Sequence, residues 1–233
     1  LAPIIKALAP LPENLAEVLE GLAPRGALAN LQISYQPQAQ ADQQVQFSAN
    51  LERIGVNSYA GVPGLGNISG SIMGDLGSGE LRLATDDFIL DLDQLFAKPW
   101  HYQQAHAQLH WTLNAQELTL SSTLMRLDAA EGKLSGDMMI RLPFTPGAES
   151  YMDLRVGIQQ GDARYTEKYL PTRSAGFSPE LANWLTTAIR AGQVDEGYFQ
   201  YQGALAPTAP ANASSISLYF NVQNAELAYQ PDW

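Results

Sequence analysis

The stretch Ala107-Gln-Leu-His-Trp-Thr-Leu-Asn114 decides the fold, because Ala107, Leu109, Trp111 and Leu113 alternate cleanly with Gln108, His110, Thr112 and Asn114. Alternation with period two gives a β-strand one apolar and one polar face. The pattern continues outward. Toward the N-terminus it recurs at Phe88, Leu90 and Leu92, at Leu81 and Leu83, at Val45, Phe47, Ala49 and Leu51, and at Leu31, Ile33 and Tyr35. Toward the C-terminus it recurs at Leu118, Leu120 and Leu124, at Leu134, Met138, Ile140 and Leu142, and at Met152, Leu154, Val156 and Ile158. It returns at Phe199, Tyr201 and Leu205, at Ile216, Leu218, Phe220 and Val222, and at Leu227 and Tyr229. Asn114-Ala115-Gln116, Glu131-Gly132 and Pro146-Gly147 supply turns between runs. With one more strand after the glycine-rich residues 61–70, the pattern predicts about a dozen strands. Short connections make sequence neighbours pair antiparallel, as a meander.

Two segments carry helical spacing instead. From about 179 to 191, Leu181, Trp184, Leu185, Ala188 and Ile189 form one stripe. Ser178 suits the N-cap, Pro179 the first turn, Glu180 the dipole there, and Arg190 and Gly192 the C-terminal end. A shorter helix is expected at about 12–20, with Leu15, Val18, Leu19 and Leu22 on one side and Gly21 near its stop. Two short helices cannot cover so large a sheet. The apolar face must therefore close into a barrel, pack as a sandwich, or curl into an open trough occupied by something other than protein; periodicity leaves all three open.

Composition narrows the class. The 233 residues hold 24 acidic and 13 basic side chains, a net charge of −11, which argues against nucleic acid as a partner. With 45% hydrophobic and only 16% charged residues, the chain has the material to fold. We read residues 1–233 as one domain. No run approaches the roughly 18 apolar residues of a membrane span. The chain starts on Leu1 and ends on Trp233, and we expect it to be an excised segment of a longer polypeptide. The lack of cysteine excludes disulfides and thiol chemistry.

No motif argues for catalysis, a metal or a cofactor. His106 and His110 share the polar face of one strand about 13 Å apart, too far for one zinc ion, and with His101 read as solvated surface. Asp86, Asp87, Asp91 and Asp93 match no calcium loop; Asp86-Asp87 reads as a turn, and Asp91 and Asp93 as outward strand residues. Gly64, Gly66 and Gly70 are spaced too widely for a dinucleotide loop, and no Gly-x-Ser-x-Gly elbow is present. Asn67-Ile-Ser69 and Asn212-Ala-Ser214 are sequons of a kind that arises readily by chance. Trp111, Phe199, Tyr201, Phe220 and Tyr229 sit on apolar faces, as core or as the lining of a site.

Particular residues also point to a family. Pro63-Gly-Leu65 leading to Ile68-Ser-Gly70, Gly79-Glu-Leu-Arg-Leu83, Tyr169-Leu-Pro171, Trp184-Leu185 with Ala191-Gly192, and Leu227-Ala-Tyr-Gln-Pro-Asp-Trp233 follow one another in order. Together they resemble the central region of YhdP-type proteins of the AsmA-like group. That resemblance implies a periplasmic segment of a large, inner-membrane-anchored envelope protein of Gram-negative bacteria, similar to bridge-like lipid-transfer proteins. It implies a long, strongly curved antiparallel sheet forming a hydrophobic groove along which phospholipid passes to the outer membrane. It brings no catalytic residues.

The residues and the resemblance meet in one quantity. Each methylene taken out of water gains about 0.8 kcal/mol, so an acyl chain of roughly 16 carbons crossing water loses on the order of 12 kcal/mol. A continuous apolar track removes most of that barrier. We expect the acyl chains to touch Phe47, Leu109, Trp111, Leu120, Ile140, Leu154, Leu218 and Phe220. The expected partners are phospholipid and the remaining segments of the same polypeptide, with membrane contact through parts outside residues 1–233. The helix around Trp184 is expected to plug the trough or cap an edge. The alternative function is a non-catalytic structural or interaction module of the envelope with a closed β-sandwich core.

Overall fold

Alternation over most of the chain yields strands and little else. The computed structural model describes residues 13–174, 177–205 and 209–228. Its strands are β1 (Arg25–Tyr35), β2 (Val45–Val56), β3 (Gly64–Gly74), β4 (Ser78–Asp91), β5 (Trp100–Leu113), β6 (Glu117–Ala129), β7 (Gly132–Pro143), β8 (Tyr151–Asp162), β9 (Ile189–Ala204) and β10 (Ser214–Leu227). Helix α1 (Glu13–Leu22) precedes β1, and a 3-10 helix (Ala163–Tyr169) and helix α2 (Pro179–Ala188) lie between β8 and β9. All ten strands form one sheet in sequence order, β1 to β10. Every adjacent pair is antiparallel, and β1 and β10 remain as edges. The protein is mainly β and its sheet is open.

Among the described residues ten strands replace the expected dozen, because residues in left-handed conformation are absorbed inside strands. Asp87 (φ 53°) sits within β4, joining the Leu81–Leu83 run to the Phe88–Leu90 run. Asn224 (φ 49°) likewise keeps Leu227 in β10; Tyr229 lies outside the described residues. Asp86-Asp87 is therefore no turn. Asn30 (φ 52°), Arg53 (φ 48°) and Asn67 (φ 57°) do the same in β1, β2 and β3, each beside a break in the pairing register. The bulges are stitched together: Asn67 Nδ2 donates to the Asp87 carbonyl at 2.9 Å, the Thr85 hydroxyl donates to the Asn67 carbonyl, and the Arg53 amide donates to Ser69 Oγ at 3.2 Å.

Each bulge slips the alternation and adds local twist. Leu83 and Phe88, five positions apart, consequently share one buried cluster with Ile54, Ile68, Tyr102 and Ala105. A flat single sheet leaves both faces open to water, yet Tyr102 is 2% and Ala105 0% exposed on this one. Part of the cover comes from the 3-10 helix, whose Lys168 Nζ lies 4.7 Å from the Tyr102 ring centroid. A further bulge in β6 sets Leu109 opposite Ser122 and Gln108 opposite Leu124. Leu124 is thereby turned from the expected apolar face to the polar one, 43% exposed.

Connections alternate between two margins of the sheet. Turns behave as expected at residues 114–116, where Asn114 Oδ1 accepts from the amides of Gln116 and Glu117 at 2.8 and 2.9 Å. Residues 163–188 are the exception to short connections. Helix α2 starts as predicted, with Ser178 Oγ accepting from the Leu181 amide at 3.1 Å and Pro179 in the first turn. It ends at Ala188 rather than 191, because Ile189 is already extended (φ −94°, ψ 100°) and opens β9. Arg190 and Gly192 are strand residues, not a helix end. Nor is the α2 stripe buried, as a plug would require: Leu181 and Trp184 are each 44% exposed.

Candidate functional site

Residues directly opposite in antiparallel strands share a face, so the register maps the apolar surface. One row runs Phe47, Gly74, Gly79, Trp111, Leu120, Ile140, Met152 across β2 to β8. The next holds Ile72, Leu81, Leu109, Ser122, Met138, Leu154, Tyr201 and Ile216. Beyond it, Val156, Phe199 and Leu218 align, then Ile158, Gly197 and Phe220. All eight residues expected to touch acyl chains thus lie on one face. Phe47, Trp111, Leu120 and Ile140 share a single row, Leu109 and Leu154 share the second, and Leu218 and Phe220 stand on edge strand β10.

The face is apolar but only half covered. Phe47, Leu109, Trp111, Leu120, Ile140 and Leu154 are each of intermediate exposure; Leu218 and Phe220 are 61% and 51% exposed. Ser122, buried within its row, satisfies its hydroxyl on the Leu124 carbonyl at 3.0 Å. The Phe47 and Trp111 rings lie nearly parallel, 8° between their planes and centroids 6.2 Å apart, although two strands separate them. They meet because Gly74 and Gly79 stand between: a Cβ at Gly79 would overlap the indole, and one at Gly74 would fall 2.8 Å from it. The indole fills the space over the glycine pair. Sequence reading placed both aromatics on the apolar face, where the register puts them, and missed the glycine pair.

The opposite face is hydrophilic. Arg155 pairs with Asp137 at 2.8 Å. Glu80 accepts from Gln108 at 2.8 Å, pairs with Arg82 and lies 3.9 Å from His110. The Gln108 hydrogen bond, with Arg82 and His110 adding to it, holds the Glu80 carboxyl below the usual carboxylate range. His101, His106 and His110 are solvent-exposed.

A second feature occupies one margin. Glu131, at the β6–β7 turn, is 4% exposed. It accepts from Lys168 Nζ and, at 2.5 Å, from the Tyr169 hydroxyl. Lys168 Nζ also donates to the His101 carbonyl at 3.2 Å and lies 4.7 Å from the Tyr102 ring centroid and 5.4 Å from that of Tyr169. Trp100 Nε1 donates to the Lys168 carbonyl at 3.0 Å, and its ring packs edge-on against Tyr169 at 4.9 Å. Arg173 continues the crossing, its amide and guanidinium donating to the carbonyls of Leu95 (3.1 Å) and Asp93 (2.8 Å) in the β4–β5 loop. Residues 163–173 therefore form a strap along this margin, from β8 back to β4, over about 19 Å of strand spacings. Alternation carries no signal for such a strap, and Glu131 reads in sequence as an ordinary turn residue.

Burial raises both Tyr102 and Tyr169 above the usual phenol range, with the Glu131 charge adding in the same direction. A raised folded value means that the folded state keeps its protons after the unfolded chain begins to lose them. Stability is thus fully present below the ordinary tyrosine value of about 10 and falls as pH rises through it, by up to about 2.7 kcal/mol per pH unit for two such groups. Urea unfolding between pH 8 and 11.5 should show this fall, and Tyr102→Phe should flatten it.

A model of the family described as YhdP protein matches residues 1–233. The chain is similar to the Intermembrane phospholipid transporter YhdP of Escherichia coli (strain K12), 23% identical over 235 residues covering 100% of this chain and 18% of that protein. It thus spans less than a fifth of that relative's length. No solved structure matches.

Proposed function

Because the chain belongs to the YhdP protein family, we propose that it is one segment of a periplasmic conduit that shields phospholipid acyl chains between the inner and outer membranes. The observation carrying this reading is the set of aligned apolar rows crossing a single open sheet. Among the described residues no second sheet backs them, and their side chains stay partly exposed. Many similar contacts from Leu, Ile, Val and Phe, without a charged anchor among them, hold hydrocarbon while letting it slide. The tails would lie across the strands, on Phe47, Leu109, Trp111, Leu120, Ile140, Leu154, Leu218 and Phe220. Guidance is passive, and no catalytic role is proposed.

Residues 1–233 would act as one domain within a longer chain, with edge strands β1 and β10 joining further segments of the same polypeptide. Among the described residues no helix is long and apolar enough to cross a membrane, and we assign membrane contact to other parts. The net charge of −11 would repel anionic head groups at long range rather than trap them. A purely structural role in the envelope is the second reading, but the open sheet removes the sandwich core it assumed.

Photo-crosslinking amino acids at Leu109, Leu120 and Leu218 test the conduit in cells. Phospholipid adducts at all three, identified by mass spectrometry, are the expected result. Adducts only to protein would sink it.

A further inference from the structure

The margin cluster around Glu131 has the chemistry of a receptor for a primary ammonium. One ammonium, that of Lys168, sits against a buried carboxylate, a backbone carbonyl at 3.2 Å and the face of Tyr102 at 4.7 Å. Opposite charge, a carbonyl acceptor and a ring quadrupole are the three groups that bind such a cation. The anion and the ring belong to the sheet, Glu131 at the β6–β7 turn and Tyr102 in β5, whereas the cation belongs to the strap. If the strap lifts, the sheet keeps a built cage that lacks its cation. The cage borders the buried apolar cluster containing Tyr102, Phe88 and Ala105, and the Ala105 row continues through Leu134 and Ile158 to Phe220 on the apolar face. An amphiphile with an ammonium head needs such a juxtaposition, with the head at the margin and the tails on the apolar face.

We infer that Glu131, Tyr102 and the His101 carbonyl form a head-group site for a lipid carrying a primary ammonium, phosphatidylethanolamine in chemical class, which Lys168 occupies as an internal substitute in the closed state. The inference rests on the lipid-groove reading for its ligand, though not for the cage itself. Lys168 keeps a 20% exposed side chain, so it can leave toward solvent. Glu131, at 4% exposed, stays fixed as the anion.

The test uses Lys168→Met, which keeps the aliphatic stem and removes the charge. The protein is incubated with vesicles of equal phosphatidylethanolamine and phosphatidylglycerol, re-purified, and its lipid analysed. Lys168→Met should raise the ratio of retained ethanolamine to glycerol lipid roughly fivefold over the unaltered protein, and Glu131→Gln added to it should erase the gain. An unchanged ratio with lipid retained overturns the head-group site. Absence of retained lipid in every variant instead counts against the groove. The cage is then judged by soluble ethanolamine, which should raise the melting temperature of Lys168→Met but not of the double variant; no rise overturns it. Should Lys168→Met fail to fold, hydrogen exchange on the unaltered protein decides. Amides of residues 163–173 should exchange faster with lysophosphatidylethanolamine than with lysophosphatidylglycerol, and equal rates overturn the site.

Discussion

Leu120→Asp should abolish phospholipid capture at neighbouring positions while the protein still folds. Leu120 lies mid-row between Trp111 and Ile140, and its side chain is partly exposed. A carboxylate there keeps access to water when the face is empty, so the folding cost is small, on the order of 1–2 kcal/mol. With a tail on the row, the same carboxylate loses its water to hydrocarbon. Every 1.4 kcal/mol of that penalty reduces occupancy tenfold, and the loss of crosslinks from position 109 should be at least about tenfold. Leu83→Asp is the control. Leu83 is 8% exposed within the sealed cluster, and a carboxylate there should cost about 4 kcal/mol or more and unfold the region. Comparable unfolding by both substitutions, followed by circular dichroism and urea titration, would mean that the Leu120 row is ordinary core.

That contrast between rows was only partly legible in the sequence. Alternation needs nothing beyond local order, and it located the Ala107–Leu113 half of β5 and strands β7 and β8 with the correct face. The pairing of β7 with β8 and β8 with β9 runs without a register break, and Ile140 and Leu154 fell where the pattern put them. Where the backbone turns left-handed or bulges, parity fails. Asp87 and the β6 bulge each shift the phase by one residue, which split β4 into two runs and misassigned Leu124. Asn30, Asn67, Asp87 and Asn224 belong to the residue types that tolerate that conformation. Their type hinted at it, but only the pairing shows whether such a residue makes a turn or a bulge. The strap was not legible at all. Its contacts join Lys168 to Glu131, 37 positions apart, and Arg173 to Asp93, 80 apart, and no period connects positions so distant.

Glu131→Ala should be the most destabilising polar substitution in the margin cluster, at about 3 kcal/mol. Its carboxylate is 4% exposed and takes hydrogen bonds from both Lys168 and Tyr169. Removing it strands two donors in a site walled by Trp100 and Tyr102, and each loses a partner that water reaches poorly. The exposed Asp137–Arg155 pair has an equally good distance of 2.8 Å, yet its side chains are 37% and 63% exposed. Arg155→Ala should therefore cost no more than about 0.5–1 kcal/mol. Urea midpoints at neutral pH measure both. Where the stability is lost matters more than how much. Hydrogen exchange in Glu131→Ala should quicken across residues 163–173 and leave β7, β8 and β9 protected, because the strap is held by this carboxylate and the sheet by its own ladders. A loss shared evenly between strap and sheet would instead make Glu131 part of the common core, and the strap could not open independently of the apolar face it borders.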